Sequence, residues 1–263
     1  MLDALVVHPG CAADLEHRDS RDTLGLPGKD AAAAQLAELH EELSSLQERL
    51  YAEGTRSILL VLQGLDASGK DGTIRRVFTG FNPQGCRVTS FKAPTPVELA
   101  HDFLWRIHAE CPARGKIGIF NRSHYEDVVT VRVLELAPEE VWRRRPDRIV
   151  EFERLLTEEG TTVLKCFLHV SAEEQRERFA ERISDSTKQW KHNPKDEETS
   201  RRFAEYTAAY EDALTETSTE WAPWYVIPAD RNWVRNHAVA TVLAEALRRL
   251  DPQYPARVPS PAG

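Results

Sequence analysis

The chain has 263 residues, 41% of them hydrophobic and 29% charged, and a formal net charge of −8. That is the profile of an ordinary soluble globular protein, one large α/β domain or two small ones. Its acidic balance argues against non-specific binding to duplex nucleic acid, so any polyanion it handles must meet local positive charge. The four cysteines (Cys11, Cys86, Cys111, Cys166) show no C-x-x-C spacing and the nine histidines no H-E-x-x-H pair, so neither zinc nor a disulfide framework is indicated.

In chain order, residues 1–28 mix charges with Pro9, Gly10, Gly25, Pro27 and Gly28 and predict an irregular arm. The opening Met-Leu-Asp-Ala-Leu-Val-Val lacks the basic start of a signal peptide, and no apolar stretch nears the roughly 20 residues of a membrane span. The cytoplasm is the expected location. Leu36, Leu39, Leu43, Leu46 and Leu50 then recur at spacings of three and four, which predicts a helix over 29–53 ended by Gly54. Packing on the main domain or an oligomer contact would both suit that face. An apolar run over 57–63 predicts a buried strand, followed by Gly64-Leu65-Asp66-Ala67-Ser68-Gly69-Lys70 and a helix reaching Phe81.

A strand is expected over 86–91. Thr95-Pro96-Val97-Glu98 is a capping box that opens a helix to about His108, with Leu99, Phe103 and Ile107 on its apolar face. A strand over 116–121 ends in Asn121-Arg122-Ser123-His124-Tyr125-Glu126-Asp127. Residues 124–136 favour a strand by composition and a helix by their place after a strand; helix is taken. A helix follows over 138–159, with Val141, Ile149, Phe152 and Leu155 towards the core, then a strand over 162–170. Ser171-Ala172-Glu173-Glu174 forms a second capping box for a helix carrying Arg176, Arg178 and Arg182. The polar, basic stretch 184–195, a helix over 197–217, a strand over 224–228, a helix over 231–250 and a Pro-rich tail complete the chain. Three units are expected: an arm and helix over 1–55, a core over 56–250 with a lid at about 178–200, and a tail over 251–263. Alternating strands and helices predict a three-layer α/β/α fold with a five-stranded parallel sheet and a crevice at the strands' carboxyl ends.

The chemistry starts from G-x-x-x-x-G-K over 64–70, the spacing of a phosphate-binding P-loop. Such a loop brings the N–H groups of Ala67, Ser68, Gly69, Lys70, Asp71, Gly72 and Thr73 towards an anion at a helix N-terminus. Asp71 stands where the motif has Ser or Thr for Mg²⁺, and Asp66 places a carboxylate inside the loop. At the next strand end Arg122 sits among Glu126 and Asp127, suited either to clamp a phosphate or to pair with those acids. Arg178 and Arg182 share a helix face, and with Lys188, Lys191 and Lys195 they suit a lid that brings cations to a transferring phosphoryl group. A face neutralised by Glu174, Glu177 and Glu181 is the alternative. The run Arg143 to Arg145 suits a solvated helix face.

Four stretches together resemble the polyphosphate kinase 2 family. They are Gly-Leu-Asp-Ala-Ser-Gly-Lys-Asp-Gly-Thr, Phe-Asn-Arg-Ser-His-Tyr-Glu-Asp-Val-Val, Lys-Gln-Trp-Lys and Ala-Pro-Trp-Tyr-Val-Ile-Pro-Ala-Asp, in that order within about residues 30 to 250. The resemblance implies a P-loop kinase core of the thymidylate-kinase type with a helical lid. It also implies phosphorylation of AMP or ADP, with GDP as a further acceptor, by inorganic polyphosphate with Mg²⁺ or Mn²⁺, and a homodimer or homotetramer. Residue by residue, Asp66 matches the essential metal-binding carboxylate; Glu126 and Asp127, the acids nearest the second strand end, are the further candidate metal ligands and candidate nucleotide contacts. Lys70 matches the phosphate-binding lysine. Asn121 holds a position that is Asp in some members, and Arg122 is the second-motif arginine. Arg178, Arg182, Lys188 and Lys191 match basic lid positions, the two lysines beside the nucleotide, and Arg132 is grouped with the polyphosphate ligands. Glu126 stands where the subgroup specific for nucleoside diphosphates has Asn, which resembles the subgroup taking both AMP and ADP. Two rivals remain at this point. One is an ATP-dependent nucleoside monophosphate kinase. The other is a nucleotide-binding switch, for which Asn193-Pro194-Lys195-Asp196 is a near miss to N-K-x-D.

Overall fold

All seven residues from Ser57 to Gln63 are buried, as a strand with sheet neighbours on both edges and helices on both faces must be. The structure, a computed structural model, describes residues 2–185, 189 and 195–256, and for 195–197 the backbone alone. In chain order its elements are α1 (Leu2–Leu5), β1 (Val6–Val7), α2 (Lys29–Glu53), β2 (Ser57–Gln63), α3 (Lys70–Val77), β3 (Cys86–Ser90), α4 (Pro96–Leu99), α5 (Trp105–His108), β4 (Ile117–Asn121), α6 (Val129–Val133), α7 (Glu139–Trp142), α8 (Arg145–Glu158), β5 (Thr161–His169), α9 (Ala172–Ser184), α10 (Lys195–Arg201), α11 (Phe203–Thr217), β6 (Trp224–Pro228) and α12 (Asn232–Leu250). Short 3₁₀ turns cover Leu15–His17, Pro83–Gly85 and His124–Asp127.

The strand order is β1-β6-β5-β2-β4-β3. β2 runs parallel to β4 and β5, with Leu62 opposite both Asn121 and Cys166. The ends of β2 and β4 therefore lie side by side, and the chain leaves β2 for neighbours on opposite sides, which opens a crevice at the switch point. The expected α/β/α architecture holds, but the sheet is mixed and has six strands. Val6 and Val7 pair antiparallel with Tyr225 and Trp224. Two residues are too short to show an alternation, and their partner lies over 200 positions away in sequence. Arg18 secures this arm, its guanidinium donating to the carbonyls of Leu5 (3.2 Å) and Val6 (3.0 Å).

Helix α2 packs its Leu43, Leu46 and Leu50 face into the core and ends at Gly54, which is left-handed and donates to Leu50 O (3.1 Å). The Thr95 capping box forms in both directions, Glu98 N to Thr95 Oγ1 (3.3 Å) and Thr95 N to Glu98 Oε2 (2.6 Å). Its helix is nevertheless two pieces, because Asp102 accepts from Leu104 N (2.9 Å) and starts a new turn. Ile107 is core, whereas Leu99 is 68% exposed. The helix over 138–159 likewise divides into α7 and α8, which leaves Ile149 and Phe152 buried but Val141 and Leu155 exposed. The helix over 197–217 divides at Arg202. The second capping box is half formed. Ser171 Oγ accepts from Glu174 N (3.1 Å), but Ser171 N donates to Asp230 (2.8 Å) and Glu174 turns to Arg178 (2.8 Å).

A polar knot sits under the loop that follows β4. Lys165 Nζ, on central strand β5, donates to Glu153 Oε2 (2.6 Å), Thr217 O (2.7 Å) and Tyr125 Oη (3.1 Å). Glu153 Oε1 also accepts from Tyr125 Oη (2.9 Å) and lies 3.2 Å from His124 Nε2. Lys165, Glu153 and His124 are fully buried. Burial alone pulls the Lys165 ammonium down; it also pushes the Glu153 carboxyl up, but Lys165 and His124 outweigh this and keep it ionised.

Candidate active site

Between β2 and α3 the backbone makes the turn that the P-loop spacing predicts. Gly64 is at φ 146°, and a Cβ there would stand 2.8 Å from Leu168 O, so only glycine fits. Ala67 (φ 65°) and Gly69 (φ 99°) are left-handed, and a side chain on Gly69 would overlap the Arg235 guanidinium. Lys70 is the first residue of α3. Its Nζ donates to Gly64 O (2.6 Å) and Leu65 O (3.1 Å) and lies 3.4 Å from Ser68 Oγ. Burial, with Arg122 close by, pulls this ammonium down to about 8.

The next carbonyls each have a donor from another helix. Asp66 O accepts from Gln175 Nε2 (3.0 Å), Ala67 O from Arg178 Nη1 (2.9 Å) and Ser68 O from Arg235 Nη1 (3.2 Å). Arg235 also reaches Thr73 Oγ1 (2.7 Å) and Asn232 Oδ1 (2.7 Å), and Arg178 the carbonyls of Ala229 (2.7 Å) and Asp230 (2.9 Å). Burial and the nearby Arg178 pull the Arg235 guanidinium down to about 9.

Asp66 and Arg122 form the central charge pair, with Arg122 Nη2 donating to Asp66 Oδ1. Burial pushes the Asp66 carboxyl up, but Arg122, Lys70 and Arg182 outweigh it and hold the group below the usual carboxylate range. Burial likewise disfavours the Arg122 cation, which Asp66 and Glu126 more than restore. Arg122 is left-handed (φ 63°) and its amide donates to Leu62 O (3.1 Å), which turns the chain back over the P-loop. Such a conformation is uncommon for a residue with a side chain and marks a position held by its surroundings. Asn121 Nδ2 donates to Asp71 Oδ1 (2.7 Å), tying the two strand-end motifs together. Glu126 Oε2 accepts from Thr130 Oγ1 (2.7 Å), and with the Gln63 amide turned so that both its ends are satisfied its nitrogen reaches Glu126 Oε1 (3.1 Å).

Beside these groups opens a cavity of about 420 Å³, bounded by the P-loop, the segment after β3, α6, α10 and α11. Gly64, Asp66, Arg122, Glu126 and Asp127 line it together with Arg106, Arg145 and Arg202 and an apolar wall of Leu99, Val131, Leu134 and Leu136. Asp127 lies 3.6 Å from Arg106 and 3.5 Å from Arg145, and burial still pushes its carboxyl up. Arg145, expected on a solvated face, is thus turned inward, over the Phe103 ring.

Other expected residues lie elsewhere. Arg132 pairs with Asp212 (2.6 Å) and covers Trp142 rather than lining the cavity. Arg178 donates to Glu174 and to three backbone carbonyls, whereas Arg182 is near enough to act on Asp66. Lys188 and Lys191, and the Lys-Gln-Trp-Lys stretch apart from Gln189, lie outside the described residues. Gln63, Arg106, Gln175 and Arg235 were not legible as site residues. Arg235 did carry a signal, since it falls on the helix stripe of Val239 and Val242, where a cation needs a buried partner.

A sequence model described as Polyphosphate kinase 2 matches residues 27–255. The chain belongs to the polyphosphate kinase 2 family. It is 53% identical over 250 residues to the AMP/ADP-polyphosphate phosphotransferase of Meiothermus ruber, covering 95% of this chain and 94% of that one. It is 44% identical over 232 residues to the ADP-polyphosphate phosphotransferase of Rhodopseudomonas palustris, with 84% and 80% covered. The crystal structure of Polyphosphate Kinase 2 from Arthrobacter aurescens TC1 superposes with a TM-score of 0.93 at 40% identity, over 97% of this chain and 91% of that one. Among the described residues no helix is long and apolar enough to cross a membrane.

Proposed function

We propose that the chain is a phosphotransferase that moves the terminal phosphoryl group of inorganic polyphosphate to AMP and ADP. The observation that carries this is the pair Asp66 and Arg122 on the wall of a cavity that further arginines line, with Lys70 buried beside them on the loop carbonyls and near enough to act on Asp66. Polyphosphate lies along the P-loop, Lys70 and Arg122. The acceptor lies in the cavity, its phosphate towards Arg106 and Arg145 and its base on the apolar wall. An acceptor phosphate oxygen attacks the terminal phosphorus, the bridging P–O bond breaks, and polyphosphate leaves one unit shorter. The attacking oxygen is already ionised, so no strong base is required; the work is to hold two polyanions together, which cations do. By the family resemblance Arg182, Lys188 and Lys191 serve the acceptor as basic lid positions.

Among the described residues no three of His, Cys, Asp and Glu group as a metal site. Mg²⁺ is ordinarily held by one or two carboxylates together with substrate phosphates rather than by a full protein cage, and Mg²⁺ or Mn²⁺ is the ion proposed. Asp66 is the ligand, with Glu126 across the mouth; Asp127, committed to two arginines, is not. The bound ion would neutralise the bridging phosphates. The working unit is a homodimer or homotetramer in the cytoplasm, with residues 56–250 as the catalytic core.

The deciding experiment offers AMP, ADP and GDP, each with Mg²⁺ and with polyphosphate as sole donor. ATP formed from ADP supports the reading. Turnover that requires added ATP as donor would instead make the chain a nucleoside monophosphate kinase.

Two further outcomes are expected. Glu126→Asn should move the AMP-to-ADP ratio of kcat/KM towards ADP by about tenfold, because it removes a charge beside the acceptor while keeping an amide partner for Gln63; one or two hydrogen bonds have that magnitude. An unchanged ratio in a substrate competition assay would separate Glu126 from acceptor choice. Lys70, with its pKa near 8, should lose its charge as pH rises from 7 to 9, so the KM for polyphosphate should climb while the KM for ADP stays level. Stability should rise with pH between about 8 and 10.5, because there the unfolded chain keeps the proton that the buried ammonium has lost. A pH series of both KM values and of chemical denaturation checks the pair of trends.

A further inference from the structure

Every carbonyl from Gly64 to Gly69 accepts a hydrogen bond. Lys70 serves Gly64 and Leu65, three side chains serve Asp66, Ala67 and Ser68 in turn, and Thr73 N serves Gly69 (2.9 Å). In a trans peptide the N–H points opposite to the C=O before it. A donor that fixes the Asp66 carbonyl therefore fixes the Ala67 N–H, and one that fixes the Ser68 carbonyl fixes the Gly69 N–H. Gln175 is fully buried and Arg235 is 3% exposed, and neither lines the cavity. They reach the loop from different helices, Gln175 with Arg178 from α9 and Arg235 from α12.

We propose that Gln175, Arg178 and Arg235 are positioning residues for the phosphoryl donor, a clasp from α9 and α12 that aims the P-loop amides. The proposal rests on the donor lying along the P-loop, as argued above. Gly69 belongs to the device: with no Cβ, it lets the Arg235 guanidinium lie against the loop backbone. Gln175 and Arg178 stand one turn apart on α9, so tilting the first half of that helix would drag two consecutive carbonyls of the loop.

The test uses Gln175→Met, which keeps length and volume but removes the donor, and Arg235→Lys, which keeps the charge but cannot span Ser68 O and Thr73 Oγ1 together. Binding of inorganic tripolyphosphate to the full chain is measured by calorimetry, and KM is measured for polyphosphate and for ADP. Each variant should lose about tenfold in tripolyphosphate affinity and raise the polyphosphate KM alike, while the ADP KM stays within about twofold. Unchanged donor affinity in folded Gln175→Met would overturn the clasp. So would equal rises in both KM values, which signal a site loosened everywhere. Wild-type affinity in Arg235→Lys would show that charge alone matters there and overturn the fork. If Arg235→Lys fails to fold, Gln175→Met decides. If the wild-type chain takes only ATP as donor, the functional reading fails instead, and the same split in the KM for ATP upholds or overturns the clasp.

Discussion

Replacing Lys70 with alanine should lower ATP formation from ADP and polyphosphate by at least about 10³-fold, and Asp66→Asn should do nearly the same. Lys70 Nζ rests on the carbonyls of Gly64 and Leu65 at the start of the loop, where a phosphate held by the helix N-terminus would meet it. Its charge matters most as negative charge spreads over the phosphoryl oxygens in transfer, so the loss falls on kcat as well as on KM. Asp66→Asn is the finer probe. The amide oxygen can still accept from Arg122, so the loop keeps its shape, but the negative charge that would hold a divalent cation is gone. The Mg²⁺ concentration for half-maximal rate should therefore rise sharply in Asp66→Asn and little in Lys70→Ala. Circular dichroism and melting curves establish that both variants are folded. Either one retaining activity within about threefold of wild type would remove these residues from the mechanism.

How much of this was legible in the chain depended on whether the information was local. The P-loop announces itself because strand, turn and helix N-terminus are adjacent in sequence, and the Thr95 cap is set by four residues. What crosses the molecule was invisible. Strand β1 is two valines that become a strand only when Trp224 and Tyr225 lie beside them. Leu99 follows the helical period yet faces the cavity, because Asp102 restarts the helix before the stripe reaches the core. Arg178 was assigned to the lid by its motif, and nothing near it in sequence tells that it also donates to the carbonyls of Ala67, Ala229 and Asp230. Lys165 is different: a lysine inside Val-Leu-Lys-Cys-Phe-Leu, in the middle of a parallel sheet, demands a buried anion. That demand was readable; the identity of the anion, Glu153 on α8, was not.

The same lysine gives the second large effect, on stability. Lys165→Met removes one partner of a fully buried pair and leaves the Glu153 carboxylate with His124 and Tyr125 alone, which should cost about 3–5 kcal/mol. For a domain of this size that lowers the melting temperature by roughly 6–20 °C. Lys165→Met combined with Glu153→Leu should cost less than Lys165→Met alone, since no charge is then stranded; a double-mutant cycle in denaturant measures the coupling. The depressed Glu153 pKa adds a pH signature, with stability that is present above the ordinary glutamate range and lost as pH falls through the folded value. Activity should fall with stability, because His124 and Tyr125 follow Arg122 by two and three positions and the knot holds the left-handed turn that aims Arg122 at Asp66. A variant that melts like wild type would show that the loop stands without the knot. A variant that melts low yet keeps full kcat at low temperature would show that the knot holds the fold but not Arg122.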